Sequence, residues 1–246
     1  MPILPPSDMP DDYDWLPGSA RFPLSDMGEL AVRLGSLVSY DRRGEVVFAD
    51  GFDLGLSPYA ASTSGVGAKI LIGSIYAGPS GYNCRMTPGT AVDKYALLFR
   101  SGTPLIVDNL GLELSFNVST PFKALGITIH DYSGTIKTDY SLAIACATNE
   151  LSYESTGPTD IPFAIIPPPI DGAGVPHTLK MVIARAKSCY LRVLYDDNFY
   201  DLSNCPAWIA PQISTRSIQF TCWITSDGVA NRLMLANHII LTANEP

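Results

Sequence analysis

The sequence predicts an all-β fold: two antiparallel sheets in a sandwich, preceded by one short helix and an extended N-terminal arm. Three observations carry that prediction. Apolar and polar residues alternate with a period of two, as in Leu112, Leu114, Phe116 and Val118 against Glu113, Ser115 and Asn117. Clusters of Gly, Pro, Ser and Thr separate such segments, with 20 glycines and 20 prolines in 246 residues and no G-X-Y period. Only one stretch carries the helical period. Ten or more alternating segments without intervening helices make a sandwich or barrel, not a parallel α/β sheet.

Residues 1–24 form the arm, because repeated prolines fix φ and push their predecessors out of the helical region. Its acids are Asp8, Asp11, Asp12 and Asp14, while Trp15 and Phe22 make it too apolar for a purely solvated tail. The arm packs either on its own domain or on a neighbouring subunit, which makes Trp15 and Phe22 candidate assembly contacts. It has neither the basic start nor the apolar core of a signal peptide, which predicts a protein made in the cytoplasm. Residues 25–44 hold the helix and a connector. Asp26 and Glu29 have capping-box spacing, Met27, Leu30, Leu34, Leu37 and Val38 share one face, and Gly35 weakens a helix over 27–40.

Residues 45–246 form a single sandwich domain. Strands are predicted at 45–50, 69–76, 82–87 and 94–100, then around 112–118 and 125–130. Further strands follow at 141–147, 178–186, 189–195, 217–225 and 232–242. The Pro-rich stretch 158–169 reads as an edge segment or a crossover loop. Glu150 and Glu154 fall in a loop, as does Trp208 between Cys205 and Pro211.

Two stretches carry a family likeness. Asp50, Phe52, Gly55 and Leu56, at the end of the run VVFADGFDLGL, resemble the opening D-x-F-x-x-G-L stretch of the concanavalin-A-like jelly rolls. Those sandwiches are shared by lectins, laminin-G domains and carbohydrate-binding modules. The run HIILT from His238 to Thr242 resembles their closing strand, which pairs near the first. The resemblance implies a jelly-roll topology and sugar binding as a family tendency. The strand with three alternating acids that marks jelly-roll glycosidases is absent. Fold alone does not assign function.

Composition excludes several roles. Sixteen basic against 24 acidic side chains, a net charge of -8, disfavour nucleic acid, whose phosphates require clustered Lys and Arg. No apolar run approaches the ~18 residues of a membrane span. Five cysteines, Cys84, Cys146, Cys189, Cys205 and Cys222, are odd in number and widely spaced, which predicts thiols rather than a disulfide framework. No Ser lies in a G-x-S-x-G elbow, and Gly65-Val66-Gly67-Ala68-Lys69 precedes a strand rather than a helix. The expectation is a protein without catalytic activity. A polysaccharide-active enzyme would need two opposed carboxyl groups brought together in space.

Two candidate sites remain. Trp223 points with Gln219, Thr221 and Thr225, away from Ile218, Phe220, Cys222 and Ile224, so it is either a sugar-stacking platform or a covered packing residue. Trp208 is a second platform, and Tyr76 and Tyr82 flank a turn and could line a rim. Asp196, Asp197, Asn198 and Asp201 offer hard oxygen ligands suited to calcium, or else form a hairpin turn. His130, His177 and His238 have no partner at ligand spacing.

A charged fraction of 16%, against about 25% in average domains, suits faces covered in a symmetric assembly. The leading expectation is therefore a virion structural protein of a phage, forming a homo-oligomer or docking on other virion proteins. The alternative is a carbohydrate-binding module with a glycan as partner.

Overall fold

The computed structural model describes residues 43–74, 81–103, 105–119, 121–155, 157, 160–169, 176–229 and 232–246. The arm with Trp15 and Phe22, the helix expected at 27–40, and Tyr76 lie outside the described residues. Among those described, the strands are β1 (Glu45–Asp50), β2 (Ala60–Thr63), β3 (Lys69–Gly73), β4 (Asn83–Thr87), β5 (Tyr95–Gly102) and β6 (Asn109–Val118). Then come β7 (Ala124–Tyr132), β8 (Ile136–Ala145), β9 (Glu150–Glu154), β10 (Asp160–Ile165) and β11 (His177–Ala184). The last five are β12 (Cys189–Tyr195), β13 (Asn198–Asp201), β14 (Trp208–Pro211), β15 (Ser217–Thr225) and β16 (Met234–Ala243). No helix among the described residues is long and apolar enough to cross a membrane.

The strands form two antiparallel sheets. The first runs β13-β12-β11-β6-β16-β4-β3, the second β10-β9-β8-β7-β15-β5-β2. In each, one strand changes partner partway along. β16 pairs β4 at Met234, Leu235 and Ala236 and then β1 from Ile239 to Ala243, so the opening and closing strands meet as the resemblance implies. β8 pairs β14 at Ile136 through Asp139 and then β9 from Leu142 to Ala145.

The opening motif has a local physical role. Phe52 adopts φ 65° and Gly55 φ 80°, and an αL conformation is rare for a bulky residue. It is held by the Asp50 carboxylate, which accepts the Phe52 N–H at 2.8 Å, and by burial of the ring 5.7 Å from Tyr59. Phe48 of the same stretch meets Phe220 of the second sheet at 5.4 Å.

Between the sheets lie Leu110, Leu112, Leu114 and Phe116 of β6, Leu125, Ile127 and Ile129 of β7, and Ile218, Phe220, Cys222 and Ile224 of β15. An aromatic seam closes one side, from Tyr140 to Tyr190 at 5.8 Å, Tyr153 at 5.2 Å, Phe163 at 6.1 Å and Tyr200 at 5.6 Å. Arg185, just beyond β11, grips the Asp131 carboxylate of β7 at 2.8 and 3.0 Å and the Leu105 and Val107 carbonyls, tying one sheet to the other. All five cysteines are free thiols, and burial pushes the Cys222 thiol up to about 12.

The first sheet departs from the half-buried pattern read from the sequence. β16 is buried along its whole length and β6 nearly so. Glu113, Ser115 and Asn117, expected in solvent, are buried with Lys180, Arg192, His238, Thr242 and Glu245. Their charges are met by one another. The Glu245 carboxylate takes Lys180 Nζ at 2.7 Å, Arg192 Nη2 at 2.5 Å and the Thr242 hydroxyl at 2.5 Å, and Asn109 donates to the Glu245 carbonyl at 2.8 Å. Part of this chain's small complement of charge therefore sits inside the fold.

Three strands escaped the sequence pattern for physical reasons. β2 and β14 are each four residues long, too short to display a period. Glu150 and Glu154 belong not to a loop but to β9, where Leu151 and Tyr153 provide the inward alternation. The Pro-rich stretch contributes β10, an edge strand with a register shift between Pro162 and Ala164. An edge is where a proline's missing N–H costs least.

Candidate functional site

The outer face of the second sheet collects the side chains with binding chemistry. Cross-strand pairing orders them in rows. One row runs Leu97, Trp223, Gly126, Ala143, Ser152, and the next Phe99, Thr221, Thr128, Ser141. The third runs Ser101, Gln219, His130, Asp139, Trp208, and the fourth Ser217, Tyr132, Lys137, Ala210.

Trp223 stands in the first of these rows, on β15, and is partly exposed. Its indole reaches across β7, with Nε1 donating to Thr128 Oγ1 at 3.2 Å. Thr128 Oγ1 lies in turn 3.1 Å from the Ser141 hydroxyl. The benzo edge crosses Gly126, where a Cβ would stand 2.8 Å from Cζ2. Only glycine opposite the tryptophan leaves room for the ring.

The second feature is the fork where β8 exchanges β14 for β9. The Tyr190 hydroxyl wedges it from the core side, accepting the Ser141 N–H at 2.9 Å. It lies 2.8 Å from the Glu154 carbonyl and 3.1 Å from that of Ser141, donating to one of them. Above the wedge, Asp139 is 2% exposed, with Oδ1 2.5 Å from His130 Nδ1 and Oδ2 2.6 Å from Lys137 Nζ. Lys137 Nζ also lies 5.3 Å from the Trp208 ring centre, a cation–π distance. Glu154 and Asp160 face each other across β9 and β10. Burial, then the Asp139 and Asp160 charges, raise the Glu154 carboxyl to about 7, against a smaller lowering by Lys137. Burial also raises Asp160 and Tyr132.

The structure thus brings Trp223 and Trp208 onto one face, with Trp208 on β14 rather than in a loop. They are three strands and four residues along the strand apart. At about 4.8 Å per strand and 3.3 Å per residue that is on the order of 20 Å. Tyr82 precedes β4 of the other sheet and does not join them. The sequence reading named His130, Glu154 and Gln219 without joining them to one another, and it passed over Asp139, Lys137 and Asp160. A signal existed for two of them: a hairpin turning at Ser133 to Thr135 sets His130 opposite Asp139.

Asp196 and Asp197 form the two-residue turn of the β12–β13 hairpin, with Asp196 at φ 47°. The two Asp196 oxygens are engaged by the Thr178 N–H at 2.8 Å and by His177 Nδ1 at 2.8 Å. Asp201 accepts the Ser203 N–H at 2.9 Å, which lowers its carboxyl. The described residues hold no group of three or more His, Cys, Asp or Glu arranged for a metal ion, and this turn does not fit a calcium cage. Each histidine pairs with a carboxylate: His130 with Asp139, His177 with Asp196, and His238 with Glu113 at 3.6 Å.

This architecture is that of the concanavalin-A-like, lectin-type jelly rolls. It is similar to a structure described as the conserved carbohydrate esterase vb_24B_21 of the Shiga toxin-encoding bacteriophage phi24B. The TM-score is 0.52 at 12% identity, over 82% of this chain and 100% of that one. It is also similar to the carbohydrate recognition domain of Emp46p in its potassium-bound form, with a TM-score of 0.50 at 11% identity, over 81% and 94% of the two chains. No protein-family model matches the sequence, and no curated protein matches it.

Proposed function

We propose that this chain is a carbohydrate-binding protein that takes a glycan on the outer face of its second sheet. The observation that carries this reading is Trp223, a partly exposed indole on a sheet face that also carries Thr, Ser, Gln and His side chains. Sugars are bound by an aromatic plane against their C–H face and polar groups around their hydroxyls. Trp208 supplies a second plane on the same face. The likeness to a carbohydrate recognition domain supports the reading at the level of fold. Binding is preferred to cleavage because Asp139 is buried with both oxygens engaged, a poor nucleophile or base for a bound sugar.

The test is a glycan array followed by calorimetry on the best hit. Trp223→Ala is expected to weaken binding at least tenfold and Trp208→Ala by a smaller factor, with the β-type circular dichroism retained. Unchanged binding in both variants would overturn the assignment of this face.

A virion setting for the same role draws support from the phage origin of one similar structure. Light scattering across a concentration series is expected to return a stable homo-oligomer; a mass of one chain throughout would count against self-assembly.

A further inference from the structure

We propose that Thr128 is the positioning residue of the glycan site and that Ser141 touches the sugar. The Thr128 hydroxyl fixes the plane of the Trp223 indole and turns the Ser141 hydroxyl proton outward, where it donates to an oxygen on the rim of the stacked sugar ring. This assignment rests on the carbohydrate-binding reading of the face and names the side chains that prepare it.

An indole N–H can only donate, so at 3.2 Å Thr128 Oγ1 is its acceptor. Thr128 is buried, and its own hydroxyl proton therefore needs an acceptor within the fold. Ser141 Oγ, directly opposite on β8 and 3.1 Å away, takes it. Donation thus runs from Trp223 to Thr128 and from Thr128 to Ser141. Ser141 is partly exposed, and its proton is the one left to donate outward. Its main chain is pinned from the core side, because its N–H donates at 2.9 Å to the hydroxyl of the fully buried Tyr190. Ser141 Oγ lies two hydrogen-bond lengths from the indole nitrogen, where the hydroxyl rim of a sugar stacked on the ring would fall.

The indole is held at two points. Gly126 leaves room under its benzo edge, and Thr128, two residues further along β7, holds its nitrogen. Together they fix both side-chain torsions before any sugar arrives. A platform ordered in advance loses less entropy on binding, so the hydroxyl that orders it raises affinity without touching the sugar. The two hydroxyls therefore have separable roles. Thr128→Val keeps the shape and removes the acceptor of the indole N–H, whereas Thr128→Ser keeps that acceptor. Ser141→Ala leaves the Trp223–Thr128 bond in place and removes the outward donor.

The experiment takes two readouts on the full chain. The first needs no sugar: solvent exchange of the Trp223 indole N–H, followed in proton–nitrogen correlation spectra and assigned with Trp223→Phe. Exchange is expected to quicken by about tenfold in Thr128→Val, the loss of one hydrogen bond, and to keep its wild-type rate in Thr128→Ser and Ser141→Ala. The second is calorimetry with cellohexaose, with N-acetylchitohexaose and with the best hit of the array. Thr128→Val should weaken binding by about tenfold, Thr128→Ser should restore it, and Ser141→Ala should weaken it while the indole exchange stays unchanged. Wild-type exchange or wild-type affinity in Thr128→Val, or a loss that Thr128→Ser did not rescue, would overturn the positioning role and leave glycan binding intact. Wild-type affinity in Ser141→Ala would remove that side chain from the site. Failure of the wild type to bind either hexasaccharide or anything on the array would overturn the carbohydrate-binding reading itself.

Discussion

Glu245→Ala is expected to lower the unfolding free energy by about 3–5 kcal/mol. Glu245 is 2% exposed, between Lys180 at 1% and Arg192 at 6%. Its carboxylate is the shared partner of both cations and of the Thr242 hydroxyl. Removing it takes the shared carboxylate away from two buried cations. The neighbouring Gly111 offers no relief, since a Cβ there would stand 2.3 Å from Thr242 Oγ1. The exposed pair Lys123–Asp93 is the control, because solvent screens it and Lys123→Ala should cost at most about 1 kcal/mol. Urea titrations of the two variants and the wild type make the comparison. A Glu245→Ala loss no larger than that of Lys123→Ala would show that the buried cluster contributes no more than a surface pair.

Gly126→Ala is expected to damage stability and binding together. A Cβ at this position would stand 2.1 Å from the Leu142 carbonyl oxygen and 2.8 Å from Trp223 Cζ2. The first contact is backbone of β8 and cannot rotate away, so the strands must part. Overpacking of this kind costs about 1–3 kcal/mol, occasionally more. The second contact lifts the indole from its seat and stretches its bond to Thr128. The expected signature is a lowered Tm, a red-shifted tryptophan emission and a tenfold or greater loss of glycan affinity. Wild-type affinity despite the lowered Tm would separate the indole's position from binding and remove it from the site.

How far the site was legible follows from which signals are local. Trp223 was found because Ile218, Phe220, Cys222 and Ile224 mark the opposite face, and a period of two within one strand needs no partner to be read. Glu154 was set in a loop because β9 is five residues long and its two acids frame only two inward residues. The buried charges of the first sheet were misread for the opposite reason. Their alternation is plain, but alternation says which face a residue takes, not whether that face meets solvent. The calcium candidate at Asp196 to Asp201 shows the same limit, since its oxygens could be assigned only once His177 and Thr178 stood beside them.

The sequence by itself determined the fold class, the strands long enough to show their period, and the outward side of β15. All of these rest on neighbours along the chain. Only the tertiary structure decided that Glu245 gathers Lys180 and Arg192 and that β8 forks between β14 and β9. Only there does Glu154 meet Asp139 and Asp160 beside Trp208. Strand order sets these meetings. A sheet is built by hydrogen bonds between strands far apart in sequence, and those bonds leave no mark in the local pattern of side chains.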